Sequence, residues 1–439
     1  MSNLLKDHDV LYEWLEMTQA VGADSVEIQY MLEDTEEITH RCDEKLSVHR
    51  QSTSKTVISL IKDFKKACII TSNPTEAKLQ DALKNVSTSF NSLRHDDAYV
   101  ITQKSQCSRT QTMSSFYDIN GLKSFNTPRK IHMAKATIEL LREQDCTPLS
   151  CSVKSSDASF LYLNSNDVKV QQNQSLFQSS VAATSNNNCG QTIQETTTTK
   201  SNKVNKLFTS RILSEITLKN LARRKVVANK KTGALPVIFT KQSMAMFWKY
   251  ILMAIQGHNI LGGMSFLSKS LGQKIAASHI SLSERPQLPE GINHRFHDDE
   301  GVYIEEKSIV DKGTLTSLLL NNYSARKLGL RSTGNANSYT NIKVMSGIND
   351  FDHLVTTMGT GYIITRLSWD GVNLNSGNIT SKARGYLIES GRLVGAVDNL
   401  VISGNFNTLL HNIAEQSNRL TNNERIVCPD ALIEGLHIN

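Results

Sequence analysis

The residues best suited to chemistry in this chain lie between His294 and Ala336. His294 and His297 precede Asp298, Asp299 and Glu300, a set of borderline and hard ligands for a cation. Their spacing is a poor metal signature, because residues three apart in an extended segment point to opposite faces. Charge-assisted hydrogen bonds within a turn are the expected use of these carboxylates. Further on, Tyr323, Arg326 and Lys327 bring a phenol, a guanidinium and an ammonium into one short helix or turn. A guanidinium of this kind can clamp a peptide carboxylate or carbonyl, or can brace the fold or a subunit contact.

Other chemistries are excluded by context. A zinc helix of the His-Glu type is ruled out, since no histidine precedes a glutamate anywhere. There is no GxSxG elbow for a serine nucleophile. Met358-Gly359-Thr360-Gly361 resembles a phosphate loop only superficially. The strand-like Tyr362-Ile363-Ile364-Thr365 follows it instead of a helix N-terminus with a Lys-Ser/Thr pair, so a tight structural turn is expected. The seven cysteines include no CxxC pair, which excludes a zinc ribbon and reads as reduced thiols.

The elements that would position these residues are legible in part. Leu11, Trp14, Leu15 and Thr18 predict a helix over 7–20, and Val26, Ile28 and Tyr30 predict a half-buried strand. Thr56 to Ile61 and Ala67 to Ile70 read as two more strands about a polar turn. Asn73-Pro74-Thr75-Glu76 opens a helix lined by Leu79, Leu83 and Val86. Residues 91–130 are polar and poorly patterned. Ile131 to Glu143 predicts a helix. Leu149 to Thr199 predicts antiparallel strands with long loops, with Thr196 to Thr199 either an edge strand or disordered. Ile212 to Ala228 predicts a helix that Gly233 would end. Pro236 to Phe239 predicts a strand and Ser243 to Ile255 a helix. The rest is β-rich, with three-residue hairpin loops expected at Asp311-Lys312-Gly313 and Glu389-Ser390-Gly391. The expected architecture is α+β. It comprises an N-terminal α/β domain (20–92), a middle α+β domain (115–230) and a C-terminal β-rich domain (236–438), closed or nearly closed, with a few helices.

Composition narrows the function classes. The 439 residues exceed a single small core. The 48 basic and 42 acidic residues give a net charge of +6 with no concentrated basic patch, so nucleic acid is not an expected partner. The longest apolar run, Met244 to Ile255, is broken by Lys249 and is far short of the roughly 20 residues that span a membrane. The N-terminus lacks a signal pattern, so a soluble, cytoplasmic protein is expected.

Asn321 to Ala336, NNYSARKLGLRSTGNA, resembles the signature of the PmbA/TldE half of the TldD/PmbA peptidase family. Supporting segments lie in the same order: GADSVE at Gly22 to Glu27, HDDEG at His297 to Gly301, MGTG, DGVN at Asp370 to Asn373 and SGNF at Ser403 to Phe406. The likeness runs from about Ala20 to Ile438 and includes departures. His297 stands where Phe is usual, and Asn378 and Ser381 replace an Asp and an Arg. The metal-bearing half of the family places HExxxH on a helix after a PVV-type strand. Counted from Pro236, the stretch here is Lys249-Tyr250-Ile251-Leu252-Met253-Ala254, which has no metal-ligating histidine and no glutamate base. Cys428 sits where the metal-free half commonly has Thr.

The resemblance therefore implies a metal-free, TldE-like subunit of a zinc metallopeptidase, with no catalytic residue, metal or cofactor of its own. Zinc is expected in an HExxxH-bearing, TldD-like homologue that completes a heterodimer. Such enzymes admit unfolded or short peptides to an enclosed cavity, trim leader peptides of microcin-like precursors and degrade flexible polypeptides. Tyr323, Arg326, Asn335, Gly359, Thr360, Gly361 and Asn373 are the candidates for substrate or interface binding. The competing expectation is a non-catalytic, homodimeric peptide-binding or regulatory protein.

Overall fold

The computed structural model describes residues 2–72, 75–107 and 115–439, with side chains from residue 10 onward. The N-terminal half contains α1 (Ser2–Gln19), β1 (Ser25–Arg41), β2 (Leu46–Lys62), β3 (Lys65–Thr71), α2 (Glu76–Ser89), α3 (Lys104–Cys107), α4 (Ile119–Ser124) and α5 (Thr127–Arg142). It continues with β4 (Thr147–Asn164), β5 (Lys169–Asn186), β6 (Thr192–Ser201) and α6 (Ser210–Arg223). The six strands form one antiparallel sheet in the order β3-β2-β1-β4-β5-β6. Strands from the 20–92 and 115–230 segments are thus neighbours in a single sheet, joined where β1 pairs β4 from Glu27↔Asn164 to Arg41↔Ser150.

Alternation along the strands separates two faces. One face carries two helical layers at opposite ends. Val26, Ile28, Ile58, Leu60, Leu161 and Leu163 pack on Leu11 and Trp14 of α1 and on Leu79 and Leu83 of α2. Cys151, Val153, Phe177 and Val181 pack on Ala134, Ile138 and Leu141 of α5 and on Leu213 and Leu221 of α6. Each fully buried aliphatic side chain contributes about 1.5–3 kcal/mol. Glu27, Phe160, Tyr162 and Gln172 lie on the opposite face, toward the C-terminal half.

The C-terminal half runs β7 (Gly233–Phe239), α7 (Lys241–Ala254), α8 (Gly257–Leu261), β8 (Leu282–Glu284), β9 (Lys307–Asp311), β10 (Thr314–Leu315), α9 (Asn322–Lys327), β11 (Ile342–Val344) and α10 (Phe351–Met358). It ends with β12 (Gly361–Leu367), β13 (Gly371–Val372), β14 (Asn378–Glu389), β15 (Arg392–Asn405), α11 (Phe406–His411), β16 (Ile413–Leu420), β17 (Ile426–Val427) and β18 (Pro429–Ile438). Strands β12, β7, β18, β15 and β14 pair in succession, and β14 pairs back onto β12. The ring is closed, which removes exposed edges from these strands. A second sheet, β10-β9-β8-β11-β17, lies beside it. The largest core joins both, with Phe247, Trp248, Ile251 and Leu252 of α7 at or near zero exposure.

Several expectations need correction. Gly233 does not end the preceding helix; α6 stops at Arg223, and Gly233 opens β7. The loops between β4, β5 and β6 are short, because the polar Ser/Thr/Gln runs are themselves strand, solvated on one face. Thr196 to Thr199 belongs to the edge strand β6. The two hairpins have two-residue loops, not three. Lys312 and Gly313 (φ 47° and 82°) and Ser390 and Gly391 (φ 49° and 73°) both show the paired positive φ of type I′ turns. Thr75 caps α2 by accepting Lys78 N–H; Asn73 and Pro74 lie outside the described residues. No helix among the described residues is long and apolar enough to cross a membrane.

Candidate functional site

The His294–Glu300 segment folds into a loop organised by one carboxylate. Asp298 accepts the N–H groups of Glu300 at 3.0 Å, Val302 at 2.9 Å and Ala336 at 2.9 Å. Burial lifts its carboxyl to about 6, against the pull of the Ala336 and Val302 donors. Gly301 is obligatory here: its φ is +75°, and a Cβ would lie 2.6 Å from the Tyr162 ring.

The signature segment is tied to this loop. Asn321 caps α9 in a reciprocal box with Ser324. Glu300 lies over that helix start, accepting Asn322 N–H at 2.9 Å and Asn321 Nδ2 at 3.1 Å. The chain between α2 and α4, unpatterned in sequence, straps the two halves together. Thr102 Oγ1 donates to Glu300 O at 2.5 Å, Gln106 Nε2 to Asn322 Oδ1 at 3.0 Å, and Tyr323 OH to Asp96 Oδ2 at 2.9 Å. Lys327 pairs with Asp96 at 2.8 Å, and its hydrogen bond holds the Asp96 carboxyl down at about 2.

The sheet supplies the far wall of this junction. Glu27 of β1 pairs with Lys66 at 3.0 Å and accepts Tyr162 OH at 3.1 Å; Asn164 donates to Tyr162 OH at 3.1 Å and to Thr102 O at 2.9 Å. Burial, with repulsion from Asp298 and Glu27, raises the Glu300 carboxyl to about 8. No sequence pattern marked Glu27, Thr102, Tyr162 or Asn164 as partners of the signature, since strand registers and loop packing bring them there.

The histidines do not converge. His294 Nε2 meets Leu288 O at 2.8 Å, its Nδ1 meets Asn202 Nδ2 at 2.8 Å, and its ring stacks on Phe116. Burial depresses it to about 4, so it is neutral near pH 7. His297 Nε2 faces Cys107, 3.7 Å from Sγ and 3.3 Å from the carbonyl oxygen. Cys428 is fully buried, its thiol donating to Lys241 O at 3.2 Å, and burial holds it protonated. On α7, Ile251, Leu252 and Ala254 face the core, Tyr250 stacks near Trp369, and Lys249 is exposed. Lys249 and Ala254 offer no imidazole to a zinc ion and Tyr250 no carboxylate base, so the residues at this position do not fit one.

The remaining candidates are dispersed. Arg326 is exposed on α9 with no partner among the described residues. Asn335 is buried and donates to Glu284, whose carboxylate also meets Lys307 and Thr340. Gly359 closes α10 at φ +64°, Thr360 Oγ1 accepts Ser390 N–H at 3.3 Å, and Gly361 sits so close to β7 that a Cβ would lie 2.2 Å from Pro236 O. Asn373 is exposed and shapes its own turn, accepting Asn375 N–H at 2.9 Å. Among the described residues no hydrogen bond links Gly359, Thr360, Gly361 or Asn373 to α9.

Two open grooves flank the sheet. One of about 650 Å³ runs between α4/α5 and Asp34, Glu36, Arg50 and Asp157. The other, of about 460 Å³, runs between Met31, Glu33, Lys55 and Phe160 and the overhanging Arg295 and Asp299.

Residues 232–439 match the family profile of the PmbA/TldA metallopeptidase C-terminal domain, and that half of the chain is a PmbA/TldD-family domain. The chain is 31% identical over 239 residues to the metalloprotease PmbA homolog of Buchnera aphidicola subsp. Acyrthosiphon pisum, covering 54% of each. It is 32% identical over 222 residues to metalloprotease PmbA of Escherichia coli O157:H7, covering 51% of this chain and 48% of that one. The chain spans about half the length of these curated relatives. The whole fold is shared with solved structures. TldE from Thermococcus kodakarensis superposes with a TM-score of 0.85 at 20% identity, over 98% of this chain and 99% of that one. A Bacteroides thetaiotaomicron protein named as a modulator of DNA gyrase superposes with a TM-score of 0.90 at 21% identity, over 99% of both.

Proposed function

We propose that this chain is the metal-free, TldE-like subunit of a cytoplasmic two-subunit zinc metallopeptidase. An HExxxH-bearing, TldD-like homologue supplies the metal and the general base. This chain supplies cavity wall and peptide-holding groups, and the pair cleaves unfolded or short peptides, as in leader-peptide trimming and the degradation of flexible polypeptides.

One observation carries the reading. Strand β7 and helix α7 are in place, yet Lys249, Tyr250, Met253 and Ala254 occupy the stretch where a peptidase of this kind needs its ligands and base. The matches to relatives named PmbA and, at 25% identity over 207 residues, to a metalloprotease TldD homolog of Buchnera aphidicola support a kinship with both halves of such an enzyme. Arg326, exposed and without a partner among the described residues, is the side chain on the signature helix best placed to meet a carboxylate.

The test is metal content and cleavage of an unfolded peptide for the chain alone and after mixing with its HExxxH-bearing relative. Chelator-sensitive cleavage and about one zinc per pair, in the mixture alone, are expected. Zinc-dependent cleavage by the isolated chain would overturn the reading.

A further inference from the structure

The outer edge of β2 is uncovered from Leu46 to Ser52. Strand β1 runs along its inner side from Leu46 to Ile61, whereas β3 pairs on the outer side only from Thr56 to Lys62. No other strand among the described residues pairs there, and every residue from Leu46 to Thr53 is exposed. Edge strands of this length are normally covered, bulged or shortened.

Register decides which backbone groups face outward. Arg41 N–H donates to Lys45 O at 3.0 Å, just beyond the last β1–β2 pair. Bonded and non-bonded pairs alternate along an antiparallel ladder. The odd-numbered residues of β2 therefore bond β1, and Leu46, Val48, Arg50 and Ser52 turn their N–H and C=O groups away from the sheet.

Both grooves open onto this strand, from opposite faces. The larger reaches Arg50, Gln51 and Ser52. The smaller reaches Thr53 and Lys55. Side chains of a strand added at the edge would alternate between the two. His49 and Lys55 are exposed cations or potential cations on one face of the strand, without partners among the described residues, whereas the groove carboxylates Glu33, Glu36, Asp157 and Asp299 are already engaged by Ser156, by Lys130 and Arg50, by Tyr117 and by Arg295.

We propose that this edge binds an extended, acidic peptide segment by strand addition, alternate side chains entering the two grooves. The proposal rests on the reading above in taking an unfolded polypeptide as the occupant. A second copy of the chain fits less well. The antiparallel register that overlaps the whole edge, Leu46 against Ser52, sets His49 against its own copy and Arg50 against Val48, and the edge holds no carboxylate to pair with either.

The probe is a fluorescein-labelled peptide alternating glutamate and threonine, titrated by anisotropy against the isolated chain, with a lysine–threonine peptide beside it. Val48→Pro removes one outward N–H and spares the ladder to β1, so folding is retained. Saturable binding of the acidic peptide is expected, weakened about tenfold or more by Val48→Pro and unchanged by Val48→Thr. Lys55→Glu, which leaves the backbone untouched, is expected to shift preference toward the lysine peptide. Absent binding, or binding indifferent to both Val48→Pro and Lys55→Glu, would overturn the proposal. Concentration-dependent dimerisation lost in Val48→Pro would assign the edge to a second copy and overturn it equally. Cleavage by the two-subunit mixture without edge binding would remove this inference alone; edge binding without cleavage would remove only the subunit reading.

Discussion

Asn335 donates its side-chain amide to both carboxylate oxygens of Glu284, at 3.2 and 2.9 Å, and Glu284 has no exposed surface. Lys307 at 2.7 Å and the Thr340 N–H and hydroxyl complete the shell around that carboxylate. Asn335→Ala strips donors from a buried charge and is expected to cost about 2–3 kcal/mol in urea denaturation. Asn335→Asp, which sets a second carboxylate against the first, is expected to cost more at neutral pH than in acid.

Arg224 clamps the two halves of the chain. Its Nη1 donates to Glu195 of β6 at 2.8 Å and its Nη2 to both oxygens of Asp398 of β15 at 2.9 and 2.7 Å. Its side chain is 9% exposed. Glu195 keeps Arg384 at 3.1 Å while the bridge to Asp398 is lost, so Arg224→Ala is expected to destabilise by about 2–3 kcal/mol. Arg224→Lys recovers only part of this, because an ammonium has one nitrogen where the guanidinium reaches Glu195 and Asp398 from two. Calorimetric melting of the two variants measures both.

Gly361 begins β12 against the parallel neighbour β7, where a Cβ would meet Pro236 O at 2.2 Å and Met358 Sδ at 2.9 Å. Gly361→Ala is expected to cost about 3 kcal/mol, since a backbone carbonyl in a closed ring cannot give way as a side chain can. A melt that matches the wild type would remove this account of the turn.

Tyr323 and Arg326 share a helix but separate in the predicted assay. Tyr323→Phe loses the hydrogen bond to Asp96 and is expected to cost about 1 kcal/mol. Arg326→Ala breaks no side-chain bond among the described residues and is expected to stay within about 0.5 kcal/mol of wild type, while lowering cleavage by the two-subunit mixture. Unchanged cleavage would exclude Arg326 as a peptide- or partner-holding group.

Stability should fall as pH rises toward 8. Glu300 titrates near 4.5 unfolded and is raised to about 8 in the fold, so the folded state holds a proton that the unfolded chain releases. Its contribution is complete below the lower value and is lost as pH rises through the upper one. His294, depressed to about 4, works the other way but only below its ordinary value of 6.5. Between about 6.5 and 8 the Glu300 trend stands clear of it, and Glu300→Gln is expected to flatten the denaturation midpoint across that window.

Short-range signals were readable wherever one periodicity dominated. The helices at Ile131–Glu143 and Ser243–Ile255 fall close to α5 and α7, because an apolar stripe and local caps determine a helix within its own turns. Strand lengths were not readable. Val26 to Tyr30 announced a strand, yet β1 continues to Arg41 through DTEEITH, where glutamates replace the apolar alternation. Those residues are strand because β2 and β4 pair on both sides of them, a cause that lies far away in the chain.

The amino-acid sequence by itself determined the class of the C-terminal half and the absence of a His-Glu zinc helix, because both are matters of which residue types occur in what local order. It also carried the signature whose Asn321 and Ser324 cap a helix through contacts three residues apart. Only the tertiary structure decided that Glu300 meets Glu27, Thr102 and Asn322, that Asn335 is enclosed with Glu284 while Arg326 is left outside, and that β2 presents a bare edge between two grooves. Each of these depends on strand register and on packing between segments tens to hundreds of residues apart, and burial and pairing free energies of that kind have no signature within any local window.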